Sequence, residues 1–210
     1  MFIKQYIFEG KVKAEIDELL GKVLQTFVYA GCSITMHTTP MCVSIKVLNP
    51  AELVEKRPLI VQQLQNMIAQ RLNMRKEQIS IVFEKIVDKG LESAYHAEML
   101  RQCFVDGKPY KRCINSIIRS VRAAGGQGVC IRVSGKVKGQ RARATRFIDG
   151  LLIQAGEPAK EYITKAISVA KCKQGVIGIQ VKVMKPYDPE GKKGPSTVLA
   201  DKIKVMQPKN

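Results

Sequence analysis

Apolar positions along the first ninety residues follow two different periods. Ile16, Leu19, Leu20, Val23, Leu24 and Phe27 fall three and four apart, one face of an amphipathic helix. They predict a helix over 11–30, with Gly31 as its stop signal. Ser33–His37 and Cys42–Leu48 are short β-prone runs joined around Thr39 and Pro40, a hairpin-like pair. Helical spacing returns between Leu59 and Leu72 through Ile60, Leu64, Met67 and Ile68, and Ile79–Val87 then alternates as a strand. The order helix, strand, strand, helix, strand describes a small α+β unit.

Gly90 begins a second unit. Leu91–Phe104 and Tyr110–Ala123 read as helices separated by a turn at Asp106-Gly107-Lys108-Pro109. The cluster Gly125-Gly126-Gln127-Gly128 reads as a helix stop and turn. It is not a phosphate-cradling loop, because no Gly-Lys-Ser/Thr follows it and no strand precedes it. Strands are expected over Val129–Lys138 and Arg143–Ile153. Glu161–Cys172 carries both periods, but the alternation Ile163, Lys165, Ile167, Val169, Lys171 favours a strand, and Val176–Met184 follows as another. Pro186 to Pro195 is rich in turn residues, either an ordered loop or the start of an extended tail. The expected fold class is α+β, with a first domain over 1–90, a basic α/β domain over 91–190 and an extended tail over 191–210.

Charge changes this picture. Arg132 to Arg146, RVSGKVKGQRARATR, holds six cations, two glycines and no acid between two strand-like apolar runs. A cationic segment held on folded elements is a surface for a polyanion, most simply nucleic acid. The whole chain of 210 residues carries 35 Lys+Arg against 18 Asp+Glu, a net charge of +17. Residues 1–90 hold 12 bases and 9 acids, and residues 91–210 hold 23 and 9, so the excess sits in the second half. Each cation set against a phosphate releases a counterion, giving salt-sensitive affinity without a sequence code. With aromatic residues at 6 % and no Trp, base stacking is not the main grip.

Other chemistry is sparse. No apolar run approaches the ~20 residues of a membrane span, and the first twenty residues lack the apolar core and cleavage site of a signal peptide. Six scattered cysteines form no CxxC or Cys/His cluster, so no metal site is expected and the thiols read as buried and free in a reducing cytosol. His37 and His96, far apart and without neighbouring ligands, read as strand-end or surface histidines. No cofactor is implied.

The segments VSGKVKGQRA at 133–142, FIDG at 147–150, GEP at 156–158, QGVIGIQVKVM at 174–184 and PYDPEGKKGP at 186–195 resemble, in order, the small-subunit ribosomal protein S-three family in its eukaryotic and archaeal form. The first half fits that family's type II KH domain in its element order. The resemblance implies a place in the head of the small ribosomal subunit, in the cytoplasm, with small-subunit rRNA, mRNA and neighbouring head proteins as partners. It puts the basic pair of the mRNA channel at Lys111 and Arg112, after the Lys108-Pro109 turn. Both positions are usually Arg in the family, and Lys111 keeps the charge without the planar fork. The larger set, Arg132, Lys136, Lys138, Arg141, Arg143 and Arg146, is assigned to rRNA phosphates. Arg119 and Arg122 join it from one helical face. Glycines at 135 and 139 suit close approach to an RNA backbone.

Two features depart from the family pattern. A KH domain grips single strands with a GxxG loop between two helices, but the corresponding stretch is Glu55-Lys56-Arg57-Pro58, and no glycine lies between Cys42 and Gly90. The KH-like domain is therefore expected to serve architecture, with Lys56 and Arg57 at best auxiliary phosphate contacts. The sequence also ends at Asn210, short of the long tail through which relatives reach a WD-repeat scaffold. Two other classes of function are weighed against this reading. A DNA lyase or endonuclease would use a lysine nucleophile, with Lys136 the natural candidate, but no carboxylate cluster or His–carboxylate pairing supports it. A free RNA-binding regulator would need the missing GxxG. The expectation is a non-enzymatic ribosomal RNA-binding protein.

Overall fold

The computed structural model describes residues 2–24, 27–137, 139–191 and 193–199, with backbone alone at Phe2 and Lys56. The chain divides into two compact units, residues 1–89 and 90–210.

The first unit runs α1 (Phe2–Val23), β1 (Tyr29–Thr35), β2 (Met41–Val47), α2 (Pro50–Lys56), α3 (Pro58–Leu72) and β3 (Ile79–Lys85). Its sheet has the order β1-β2-β3, antiparallel at β1–β2 and parallel at β2–β3. A parallel neighbour needs a crossover, and α2 with α3 supplies it. Met41, Val43, Ile45 and Val47 alternate into a core with Val12, Ile16, Leu20 and Leu24 of the N-terminal segment and Leu64, Ile68 and Ala69 of α3. Full burial of each such side chain is worth about 1.5–3 kcal/mol.

Three expectations need correction here. The first helix begins at Phe2 and stops at Val23, short of residue 30. Gly31 does not end it: it lies inside β1 at φ +139°, where the register with β2 slips between Tyr29 and Gly31. Only glycine takes that conformation without strain, so the helix-stop reading mistook a bulge residue for a cap. The helix α2 is also additional. At seven residues it is too short for its period to show, and Pro50 at its first turn is its one sequence signal.

The second unit runs α4 (Ser93–Val105), α5 (Tyr110–Ala123), β4 (Gly128–Gly135), β5 (Arg143–Gly150), α6 (Glu157–Tyr162), β6 (Ile163–Cys172) and β7 (Gly175–Met184). Its strands lie in the order β5-β4-β7-β6, every neighbour antiparallel. Val129, Ile131 and Val133 of β4 and Ile177, Ile179, Val181 and Val183 of β7 point to one face, where Ala97, Leu100, Ile114, Ile117 and Val121 of the two long helices join them in one core. On the opposite face Met184 packs against Tyr162 of α6 and Leu199, while Arg132 and Arg146 are exposed.

Both helix ends close as the glycines suggest. Gly107 (φ +69°) and Gly125 (φ +82°) follow the last residues of α4 and α5. The amides of Lys108 and Gly126 return to the carbonyls of Cys103 and Val121 at 3.0 and 2.9 Å, satisfying groups the helices leave bare. At the base of the β4–β5 ribbon two backbones nearly touch. A Cβ on Gly128 would stand 1.9 Å from the Leu151 carbonyl oxygen, and one on Gly150 (φ +72°) 2.3 Å from that of Gln127. The turn at Gly150 ends β5 three residues before the expected Ile153. Within 186–191 and 193–195 the chain forms a loop: both Asp188 carboxylate oxygens accept backbone amides, from Glu190 at 3.0 Å and Lys193 at 2.8 Å. The chain beyond it folds back, with Leu199 packed against Tyr162 and Met184. Residues 200–210 of the expected tail lie outside the described residues.

His96 is not at a surface. It is fully buried in α4, with Nε2 2.9 Å from the Gly90 carbonyl and Nδ1 unpartnered. Burial holds its pKa below the usual histidine range, against the smaller opposing pull of the Gly90 hydrogen bond. His37 is exposed, 3.5 Å from Glu9.

Candidate nucleic-acid interface

The sequence-distant cations meet beside α5. Lys111 and Arg112 occupy its exposed first turn, which holds no acid. That end of a helix carries partial positive charge, so the site favours an anion twice over. Lys111 shares one cleft of about 850 Å3 with Arg141 and Arg143, which lie thirty residues on, and Tyr110, Thr145 and Phe147 form part of its wall. Tyr110 is fixed by stacking on Phe104 at 5.6 Å and by an edge contact with Phe147 at 6.5 Å. Among the described residues no carboxylate pairs with Lys111, Arg141 or Arg143.

Other members of the basic set stand differently. Lys108 is held 2.8 Å from Asp106 within its own turn. Arg122 makes a two-pronged pair with Asp149 of β5, Nε to Oδ2 at 2.6 Å and the second prong to Oδ1. Asp149 thus lies within β5 and holds Arg122. Arg119 and Lys136 are exposed, and Lys138 lies outside the described residues. A Cβ at Gly139 would meet nothing within 4 Å, leaving open approach, whereas one at Gly135 would stand 2.9 Å from the Val176 carbonyl oxygen. Only the former fits the expectation of room for RNA.

Strand parity sends Arg132 and Arg146 to the open face of the sheet, directly across from each other in the β4–β5 register. Lys182 of β7 lies opposite Cys130 and Lys165 of β6 opposite Lys182, on the same face. A depression of about 360 Å3 there is lined by Arg132, Arg146, Gln154, Gln180 and Lys182, and Arg146 Nε donates to Cys130 Sγ at 3.2 Å. The sequence reading missed Lys165, Lys182 and the two glutamines. The alternation that identified their strands also assigned their face, but which face the helices cover is a tertiary fact.

The stretch expected at the KH loop is reduced to a joint. Arg57 alone separates α2 from α3, and Pro58 starts α3. The Arg57 guanidinium lies over the Phe27 ring, 5.5 Å from its centroid, turned onto its own domain. Glu55 is exposed; the Lys56 side chain lies outside the described residues. The cysteines also differ from expectation. Cys103 and Cys113 form a disulfide, because the tight α4–α5 turn lays the two helices side by side, while Cys130 is buried and Cys32, Cys42 and Cys172 are half-buried free thiols.

A family model described as ribosomal protein S3, C-terminal domain, matches residues 100–183, which include α5, the ribbon and both central strands. Small ribosomal subunit protein uS3 of Encephalitozoon cuniculi (strain GB-M1) is 38 % identical over 206 residues, covering 98 % of this chain and 95 % of that protein. With the two α+β units in the expected order and the matched segment carrying the cationic cleft, the chain belongs to the ribosomal protein S3 family.

Proposed function

We propose that this protein binds rRNA in the head of the cytoplasmic small ribosomal subunit and lines the channel through which mRNA enters. Family membership makes it a structural, non-catalytic constituent of the small subunit. The observation that carries the finer reading is the cleft in which Lys111, beside Arg112, faces Arg141 and Arg143 with no carboxylate among the described residues pairing with them. Cations so placed hold a phosphodiester backbone by charge and position and make no bonds. Lys111 and Arg112 meet the incoming strand, and the ribbon cations, with Arg119 and the exposed Lys136, meet rRNA. Arg122 and Lys108, each already ion-paired, contribute less. Neighbouring head proteins complete the set of partners.

The test has two parts. The protein should co-sediment with small subunits through a high-salt wash. Subunits carrying Lys111→Ala with Arg112→Ala should assemble normally yet translate messages with structured leaders poorly. Failed assembly together with unimpaired translation of structured messages would put the channel contacts elsewhere.

A further inference from the structure

The geometry points to a second RNA-backbone site on the open face of the sheet, so that the β4–β5 ribbon is held between two separate RNA segments. The inference rests on the RNA-binding reading and adds to it a second surface and a bridging role.

The ribbon's two faces are chemically matched. On β5, Arg143, Thr145 and Phe147 alternate with Ala144, Arg146 and Ile148, so Arg143 and Arg146 project to opposite sides. The helix side has the cleft with Lys111. The open side sets Arg146 directly opposite Arg132, and Lys182 directly opposite Lys165. Like charges facing across a ladder destabilise it, and among the described residues no acid lies in these rows to relieve them. Two such pairs on one face have a physical reason if an anion lies between them.

The donors define that anion. Arg132 and Arg146 present planar forks suited to phosphate. Lys182 adds a third cation, Gln154 and Gln180 add neutral donors, and the depression is shallow and small, the scale of a backbone phosphate and its sugar. The exposed apolar residues of this face are Ile148, two residues from Arg146 on β5, Val176 on β7, and Ile167 and Val169 on β6 at the far edge. An acidic protein segment is the competing occupant, but a pocket lined by donors beside a second phosphate-type cleft on the same ribbon favours RNA.

The test uses the full-length chain under reducing conditions. One RNA hairpin is tethered to a surface, protein is added, and a second, non-complementary fluorescent hairpin follows. The wild-type protein should capture both hairpins. Arg132→Ala with Arg146→Ala should still bind the tethered hairpin, while capture of the second falls at least about tenfold and its salt slope drops by about 1.4–1.8. Lys111→Ala with Arg141→Ala and Arg143→Ala should lose bridging likewise. Lys11→Ala with Lys13→Ala, a loss of charge in the first unit, should keep it. Bridging by the Arg132/Arg146 variant at the wild-type level overturns the proposal. So does a wild-type protein that binds only one hairpin, which would mean one strand wrapped around β5 or a face meant for protein. Failure of the wild type to bind any RNA would instead overturn the RNA-binding reading itself.

Discussion

Arg119 and Arg122 stand one turn apart on α5, yet Asp149 ties down only the second. An exposed pair of this kind adds little to stability, so its main effect is to withhold a cation from any polyanion. Asp149→Asn should leave the melting temperature nearly unchanged and steepen the salt dependence of RNA binding by close to one phosphate contact. A salt titration of the two proteins decides it. His96 behaves in the opposite way. Its native pKa lies below the unfolded value, so the unfolded chain binds a proton that the folded one refuses. Stability should be level above the unfolded histidine pKa and fall by up to about 1.4 kcal/mol per pH unit below it, until the native pKa is reached. Urea melts between pH 7.5 and 5.5 should show this (conditions at about neutral and mildly acid values), and His96→Gln should flatten the slope. Neither partner was legible in the sequence. Asp149 lies 27 residues from Arg122 in the chain, and the apolar surroundings of His96 come from packing that no local spacing reveals.

At the scale of elements, periodicity located the long helices and the inner strands because their apolar residues face one core. It failed where backbone conformation, not burial, decides the element. Gly31 bends a strand, α2 is too brief to show a period, and Gly150 ends β5 by a turn inside an otherwise strand-like run. The pinch at Gly128 and Gly150 explains why alternation could not find that end: the signal is the absence of a side chain. Gly150→Ala should cost about 2–4 kcal/mol, since it combines positive φ with a collision against backbone. Chemical denaturation measures it. Gly139→Ala, in open space, should be close to neutral and serves as the comparison. The candidate site was half legible for a related reason. Contiguity of charge revealed the ribbon, but the pairing of Arg132 with Arg146 is a property of register, which follows from the pairing of two strands and not from either alone.

For the whole molecule, the charge excess is concentrated in residues 91–210, and much of it lies on the two faces of one ribbon. Self-repulsion of this kind lowers the stability of the free protein until an anion arrives. Inorganic phosphate should therefore raise the melting temperature above its value in chloride at equal ionic strength. The gain should shrink in the Arg132→Ala/Arg146→Ala protein, which separates site occupancy from the general stabilising effect of such salts. Equal gains in both proteins would show the effect to be general. The overall plan, a KH-like unit and then a basic unit, was readable because charge and hydrophobic period change together near Gly90. The absence of glycines from the α2–α3 joint was readable directly, though the turn of Arg57 onto Phe27 was not.

The ribbon also has a mechanical consequence. β4 is bonded on both sides, to β5 and β7, whereas β5 is bonded only to β4. A pull applied at the tip loads the β4–β5 ladder from the Arg143–Gly135 rung toward the Gly150–Gly128 rung. The rungs open one after another, and β5 peels away while β4, β7 and β6 stay joined over their core. Under tension β5 should therefore separate first, leaving the other three strands and their core as a folded remnant on which it can re-form.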